Sequence, residues 1–123
     1  MSKLINALSE KPIIALDFDA VLHKYNGWNG GKLDRPIDGA KEAVEKLLLR
    51  GFRVVVFSTR DSEQIRPWLK EFEFPELEIC SEKPPFVALL DDRAICFRGR
   101  WTNALITELA NFRPYWEGNE RTL

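Results

Sequence analysis

The 123-residue sequence predicts a three-layer α/β sandwich around a central, mostly parallel sheet. Three observations predict it. Apolar runs of strand length recur at residues 13–16, 52–57, 77–80 and 86–90. The first two lack the polar alternation of a half-exposed strand, so they suit parallel strands covered on both faces. Segments with helical spacing alternate with these runs along the chain. Several runs also stop abruptly at polar residues, and open α/β sheets gather their ligands beyond the carboxyl ends of their strands.

The first strand follows Pro12 and ends in Asp17-Phe18-Asp19-Ala20-Val21. With a period of two, Asp17 and Asp19 point the same way for as long as the strand lasts. They then repel unless a cation or a shared proton relieves them. Beyond Leu22, the run Asn26-Gly27-Trp28-Asn29-Gly30-Gly31 marks a loop or tight hairpin beside the acidic pair, because Asn and Gly tolerate left-handed backbone. Tyr25 and Trp28 either line a substrate mouth there or anchor the loop. His23, the single histidine, reads as a surface loop residue rather than a catalytic one.

Asp38 is the expected N-cap of a first helix running to about Arg50 and closed by Gly51, with Ala40, Val44, Leu47 and Leu48 as its apolar stripe. The second strand, 52–57, ends in Ser58-Thr59-Arg60. Asp61 then opens a second helix with Gln64 at the capping-box position. Pro67 within it calls for a kink or a start nearer Arg66. The third strand, 77–80, leads into Ser81-Glu82-Lys83-Pro84-Pro85, and the fourth, 86–90, ends in Asp91-Asp92. A fifth strand is expected at 95–97, turning at Gly99, and a closing helix at 102–111. The tail, 112–123, shows little periodicity and either wraps the domain or is mobile.

Composition bounds the class. Apolar residues make up 45%, charged residues 30%, and the net charge is −1, which describes an ordinary globular domain with no global basic bias toward nucleic acid. The expectation is one domain over 1–123, with its core at about 12–111. Cys80 and Cys96 sit in apolar segments without metal-ligand spacing, so they read as small core residues of a reducing compartment. No apolar run approaches the length of a membrane span, and the N-terminal stretch has too short an apolar centre for a signal peptide. A cytoplasmic location is expected.

The chemistry lies in an ordered set of strand ends: Asp17 and Asp19, then Ser58, then Lys83, then Asp91 and Asp92. Hard cations take oxygen ligands, and magnesium keeps room for water and a phosphate oxygen. A lysine offers a point charge to a phosphoryl group, and a serine hydroxyl donates to one of its oxygens. By composition this is a site for Mg2+ and phosphate.

The same order resembles the haloacid dehalogenase superfamily of phosphohydrolases, whose members carry a strand ending Asp-x-Asp-x-Thr/Val, then Ser/Thr, then Lys, then an acidic pair. The resemblance covers residues 12–97 and implies a HAD-like, Rossmannoid fold. Val55-Val56-Phe57-Ser58-Thr59-Arg60 and Leu90-Asp91-Asp92-Arg93 are similar to compact phage and bacterial members and to the phosphatase half of polynucleotide kinase-phosphatases. Ala20 departs from the pattern, standing where glycine is common.

The resemblance implies that Asp17 attacks phosphorus and that Asp19 is the general acid and base. It implies Mg2+ held by Asp17, the backbone carbonyl of Asp19 and the Asp91-Asp92 pair, with Asp92 favoured as ligand and Asp91 supporting Lys83 or a metal-bound water. Ser58 and the Thr59 N–H hold phosphoryl oxygens, and Lys83 neutralises charge. Arg60 and Arg93 either contact phosphate or form surface salt bridges. Neither the gap from Val21 to Ile37 nor that from Ser58 to Lys83 holds a cap domain, so the site is expected to be open. That suits a small phosphomonoester (nucleotide or sugar phosphate) or a nucleic-acid phosphate end, with a homo-oligomer compatible and no membrane partner. The alternatives are a non-catalytic binding or regulatory module of the same fold and a phosphotransferase.

Overall fold

The computed structural model describes residues 11–117, and the expectations for the N-terminal stretch and for the tail beyond 117 lie outside them. In chain order the elements are β1 (Ile13–Leu16), α1 (Ala40–Leu49), β2 (Arg53–Phe57), α2 (Ser62–Glu71), β3 (Glu78–Cys80), β4 (Ala88–Leu90) and α3 (Asn103–Ala110). They form a three-layer α/β sandwich with a four-stranded sheet ordered β3-β2-β1-β4 and no separate cap domain. Every pairing is parallel; Leu16 lies opposite Val56 on one side and Leu90 on the other. No helix among the described residues is long and apolar enough to cross a membrane.

Strand position explains the sequence. β1 and β2 are central, so both of their faces are covered, and Ala15, Leu16, Val54, Val55 and Val56 are all buried. β3 and β4 are short edge strands with partly exposed residues. On one face Leu16, Val54 and Val56 pack with Ala40 and Val44 of α1 and with Ile65, Trp68 and Leu69 of α2. On the other, Ile13, Ala15 and Val55 bury with Phe57, Cys80, Phe86 and Leu89 against them.

The chain steps from β1 to β2 to β3 in one direction, then crosses back to place β4 on the far side of β1. The order therefore reverses between β1 and β4, and in open sheets a ligand crevice forms outside the strand ends at such a reversal. Asp17 follows β1 there and donates its N–H to Leu90 O at 2.9 Å. The two acidic ends are thus tied side by side.

Three local expectations are corrected, and of the two readings of Pro67 the later helix start is excluded. The 95–97 segment is not a strand: Cys96 and Phe97 are exposed, and no strand among the described residues pairs with them. Cys96 is accordingly no core residue, whereas Cys80 is half-buried. Gly39, at φ 85, caps α1 in place of Asp38, because the chain enters the helix through a left-handed turn that glycine adopts without a Cβ clash. Pro67 neither starts α2 nor ends it. The helix runs from an Asp61 cap, whose carboxylate accepts the Glu63 N–H, and its buried Ile65, Trp68 and Leu69 hold it to the core while Pro67 faces solvent.

Candidate active site

The cleft beyond β1, β2 and β4 has a volume of about 310 Å³ and is lined by Asp17, Asp19, Tyr25, Phe57, Ser58, Thr59, Asp91, Asp92 and Arg93. Asp17, Asp91 and Asp92 each bring a carboxylate oxygen within 4.8 Å of the other two. Burial first, then a hydrogen bond with Asp92 and the negative charge of Asp91, push the Asp17 carboxyl from 3.8 up to about 8, with the Phe18 N–H pulling the other way. Carboxylates this close share a proton or bind a cation. Their oxygen donors fit a hard divalent ion.

Asp19 has a different environment. His23 Nδ1 lies 2.9 Å from its Oδ1, and Arg60 donates from Nε and Nη2 at 3.2 and 3.0 Å. Burial acts to raise the Asp19 pKa, but the hydrogen bonds from His23 and Arg60, together with the charge of Arg60, outweigh it and hold the carboxyl below its ordinary value. Two acids one residue apart are therefore driven in opposite directions. The two acids are thus set apart by their surroundings: burial with Asp92 and Asp91 favours the protonated form of Asp17, and His23 with Arg60 favours the ionised form of Asp19.

His23 is buried, not a surface residue, with 1% exposure. Its ring stacks on Phe18 with centroids 5.1 Å apart and meets Trp68 edge-on at 5.7 Å. The Asp34 N–H donates to Nε2 at 2.6 Å, so Nδ1 carries the hydrogen and donates to Asp19. Sequence reasoning missed this residue. The available signal was its place four residues after Asp19, directly after the apolar pair Val21-Leu22.

Ser58 ends β2 and is buried, and its Oγ accepts the Arg60 N–H at 3.0 Å, which leaves the hydroxyl hydrogen free to point into the cleft. Thr59 lines the cleft and is exposed. Arg60 is committed: besides Asp19 it donates to Gly31 O at 3.2 Å, and its guanidinium lies 5.7 Å from the Trp28 ring centroid. Lys83 is exposed, does not line the cleft, and holds its ammonium 5.4 Å from the Phe86 ring centroid. Asp91 accepts the Arg93 N–H at 2.8 Å, which shapes the turn after β4. Arg93 itself is exposed and lies 5.1 Å from the Trp116 ring centroid.

Part of the tail belongs to this region. Trp116 Nε1 donates to Asp92 Oδ2 at 2.7 Å, and its ring meets Tyr25 edge-on at 5.1 Å. Tyr115 donates its hydroxyl to Ala20 O at 2.7 Å.

No protein-family model and no curated protein matches the sequence. Among solved structures, the fold is similar to that of a conserved protein from Bacteroides thetaiotaomicron, with a TM-score of 0.58, 18% identity, and coverage of 82% of this chain and 90% of that one. At that identity the likeness concerns the fold alone. The chain is a small parallel α/β domain similar in fold to that bacterial protein, and its acidic cluster is a candidate metal- or phosphate-binding site.

Proposed function

We propose that the protein is a phosphomonoester hydrolase of the haloacid dehalogenase type, dependent on Mg2+. The observation that carries the reading is the convergence of Asp17, Asp91 and Asp92 at the reversal between β1 and β4, with the Ser58 hydroxyl on the adjoining strand end. Asp17 and the Asp91-Asp92 pair, with the backbone carbonyl of Asp19, would hold the ion. Bound there, the ion offsets the charge that otherwise keeps a phosphate away from three carboxylates.

In this reading an Asp17 oxygen attacks phosphorus, the bond from phosphorus to the leaving oxygen breaks, and that oxygen takes a proton from Asp19. Water then attacks the phosphoryl group on Asp17, Asp19 takes the proton from that water, and the bond from phosphorus to Asp17 breaks to release phosphate. The His23 and Arg60 clamp favours ionised Asp19, which suits the second step. The negative charge of an arriving phosphate raises the Asp19 pKa again and so favours the proton that the first step requires. Ser58 and the Thr59 N–H donate to phosphoryl oxygens. Lys83 supplies charge by swinging off Phe86, and Arg60 acts by positioning Asp19.

The test is phosphate release from a panel of phosphomonoesters with and without Mg2+, comparing wild type with Asp17→Asn. Release that needs Mg2+ and drops by at least a thousandfold in the variant is expected. Near-normal release from Asp17→Asn would remove Asp17 as nucleophile.

A further inference from the structure

Next to the catalytic cleft lies a second cavity of about 460 Å³, lined by Lys24, Tyr25, Asn26, Asn29, Asp34 and Tyr115 among others. We infer that it is the subsite for the leaving alcohol and that it is built for a nucleoside, making the substrate a mononucleotide. The inference rests on the hydrolase reading above and names the substrate of that same site.

Continuity is the first argument. Tyr25 lines both cavities, and its ring is fixed by the edge-on contact with Trp116 at 5.1 Å. Proximity to the acid is the second. Asp34 lines the second cavity and donates its N–H to His23, which in turn holds Asp19, so the cavity borders the residues that position the proposed acid.

Size and chemistry complete the case. Sites for small organic ligands run from about 300 to 1,000 Å³. A glycerol or methyl group would leave most of this cavity to water, whereas a nucleoside occupies far more of it. Asn26 and Asn29 each offer an amide that donates and accepts, the pairing that suits the edge of a nucleobase. Tyr25 offers an aromatic ring to a planar base. Asp34 offers a carboxylate to sugar hydroxyls.

The experiment compares kcat/KM of the full chain with Mg2+ for adenosine and uridine 5′-monophosphates, glycerol 1-phosphate, a 3′-phosphorylated oligonucleotide and acetyl phosphate. Acetyl phosphate reads the chemistry of Asp17 with almost no leaving group to bind. A nucleotide is expected to exceed glycerol 1-phosphate by at least tenfold. Asn26→Trp, which fills the cavity from an exposed loop, should lower the ratio of nucleotide to acetyl phosphate by at least tenfold, with Asn26→Ala as the milder companion should the larger residue impair folding.

Hydrolysis of acetyl phosphate with no preference for the nucleotide, or with a preference for the oligonucleotide, overturns the subsite and leaves the hydrolase reading standing. If no compound is hydrolysed, the hydrolase reading falls and the leaving-group role with it, and calorimetry of nucleotide binding to Asp17→Asn decides the nucleoside pocket alone. Binding that Asn26→Trp weakens tenfold supports it, and absent binding overturns it.

Discussion

Asp17 and Asp19 have the same side chain and nearly the same place in the chain, yet burial beside Asp92 and Asp91 raises one while His23 and Arg60 lower the other. The sign for Asp17 follows from linkage. Its proton stays bound in the folded, metal-free protein up to a pH of about 8, but leaves the unfolded chain near 3.8. Its contribution to stability is therefore fully present below about pH 4, falls as pH rises from there, and is gone above about 8. Asp19 runs the other way: its contribution is present at neutral pH and lost as pH falls through its depressed value. At the proposed metal site Mg2+ would compete with the Asp17 proton, so its uptake should release a proton. The dissociation constant for Mg2+ should drop by up to about tenfold between pH 6 and 7 and level off above 8. Calorimetry in buffers of different ionisation enthalpy would measure both quantities, and Asp17→Asn should flatten the pH dependence. Of these groups, the acids were legible in the sequence and the clamp was not. Arg60 could have been placed from strand register, since Leu16 faces Val56 and the same offset carries Arg60 to the neighbourhood of Asp19. His23 carried one signal, its place four residues after Asp19, but its burial depends on Trp68 from α2 and on the Asp34 backbone, both distant in the chain.

Among the elements, the central strands were legible because a strand buried on both faces must be apolar throughout, as Val54-Val55-Val56 is. The segment at 95–97 has a similar apolar signature but no partner strand among the described residues, and without a partner its backbone has no ladder to join. Helix ends turned on single residues: Thr102 caps α3 through its Oγ1 as its residue type suggests, whereas Gly39 displaced Asp38 at α1 because of backbone angle. The same consideration governs the turn after β1. Ala20 has φ 68 and is 3% exposed, so an L-residue is held in left-handed backbone inside the packed turn that carries Asp19. That conformation costs about 1–2 kcal/mol in an L-residue, and glycine's greater freedom in the unfolded chain offsets about 0.5–1 kcal/mol of any gain from replacing it. Ala20→Gly should therefore fall within about 1 kcal/mol of wild type in urea unfolding. Ala20→Val adds β-branching in the same strained region and bulk in a full space, and should lose about 2 kcal/mol or more.

Across the whole molecule, the site is assembled from segments that meet only in the folded chain. The turn after β1 supplies Asp17 and Asp19, the end of β2 supplies Ser58 and Arg60, and the turn after β4 supplies Asp91 and Asp92. The segment at 115–116 joins two of these: Tyr115 bonds Ala20 O, and Trp116 bonds Asp92 and packs on Tyr25. A stretch with no periodic pattern in the sequence thus braces the acidic cluster from outside the sheet. Trp116→Phe keeps most of the ring contact but removes the N–H from Asp92, whose side chain is 5% exposed. Losing a hydrogen bond to a buried charged group costs about 1.5–3 kcal/mol in the metal-free protein. Bound Mg2+ would engage the same carboxylate and so mask part of that loss. The urea midpoint of Trp116→Phe should accordingly fall below wild type without Mg2+ and recover toward it with Mg2+, while Trp116→Ala, which also loses the contact with Tyr25, should recover less. Equal midpoints for all three proteins would mean that 115–116 merely rests on the site.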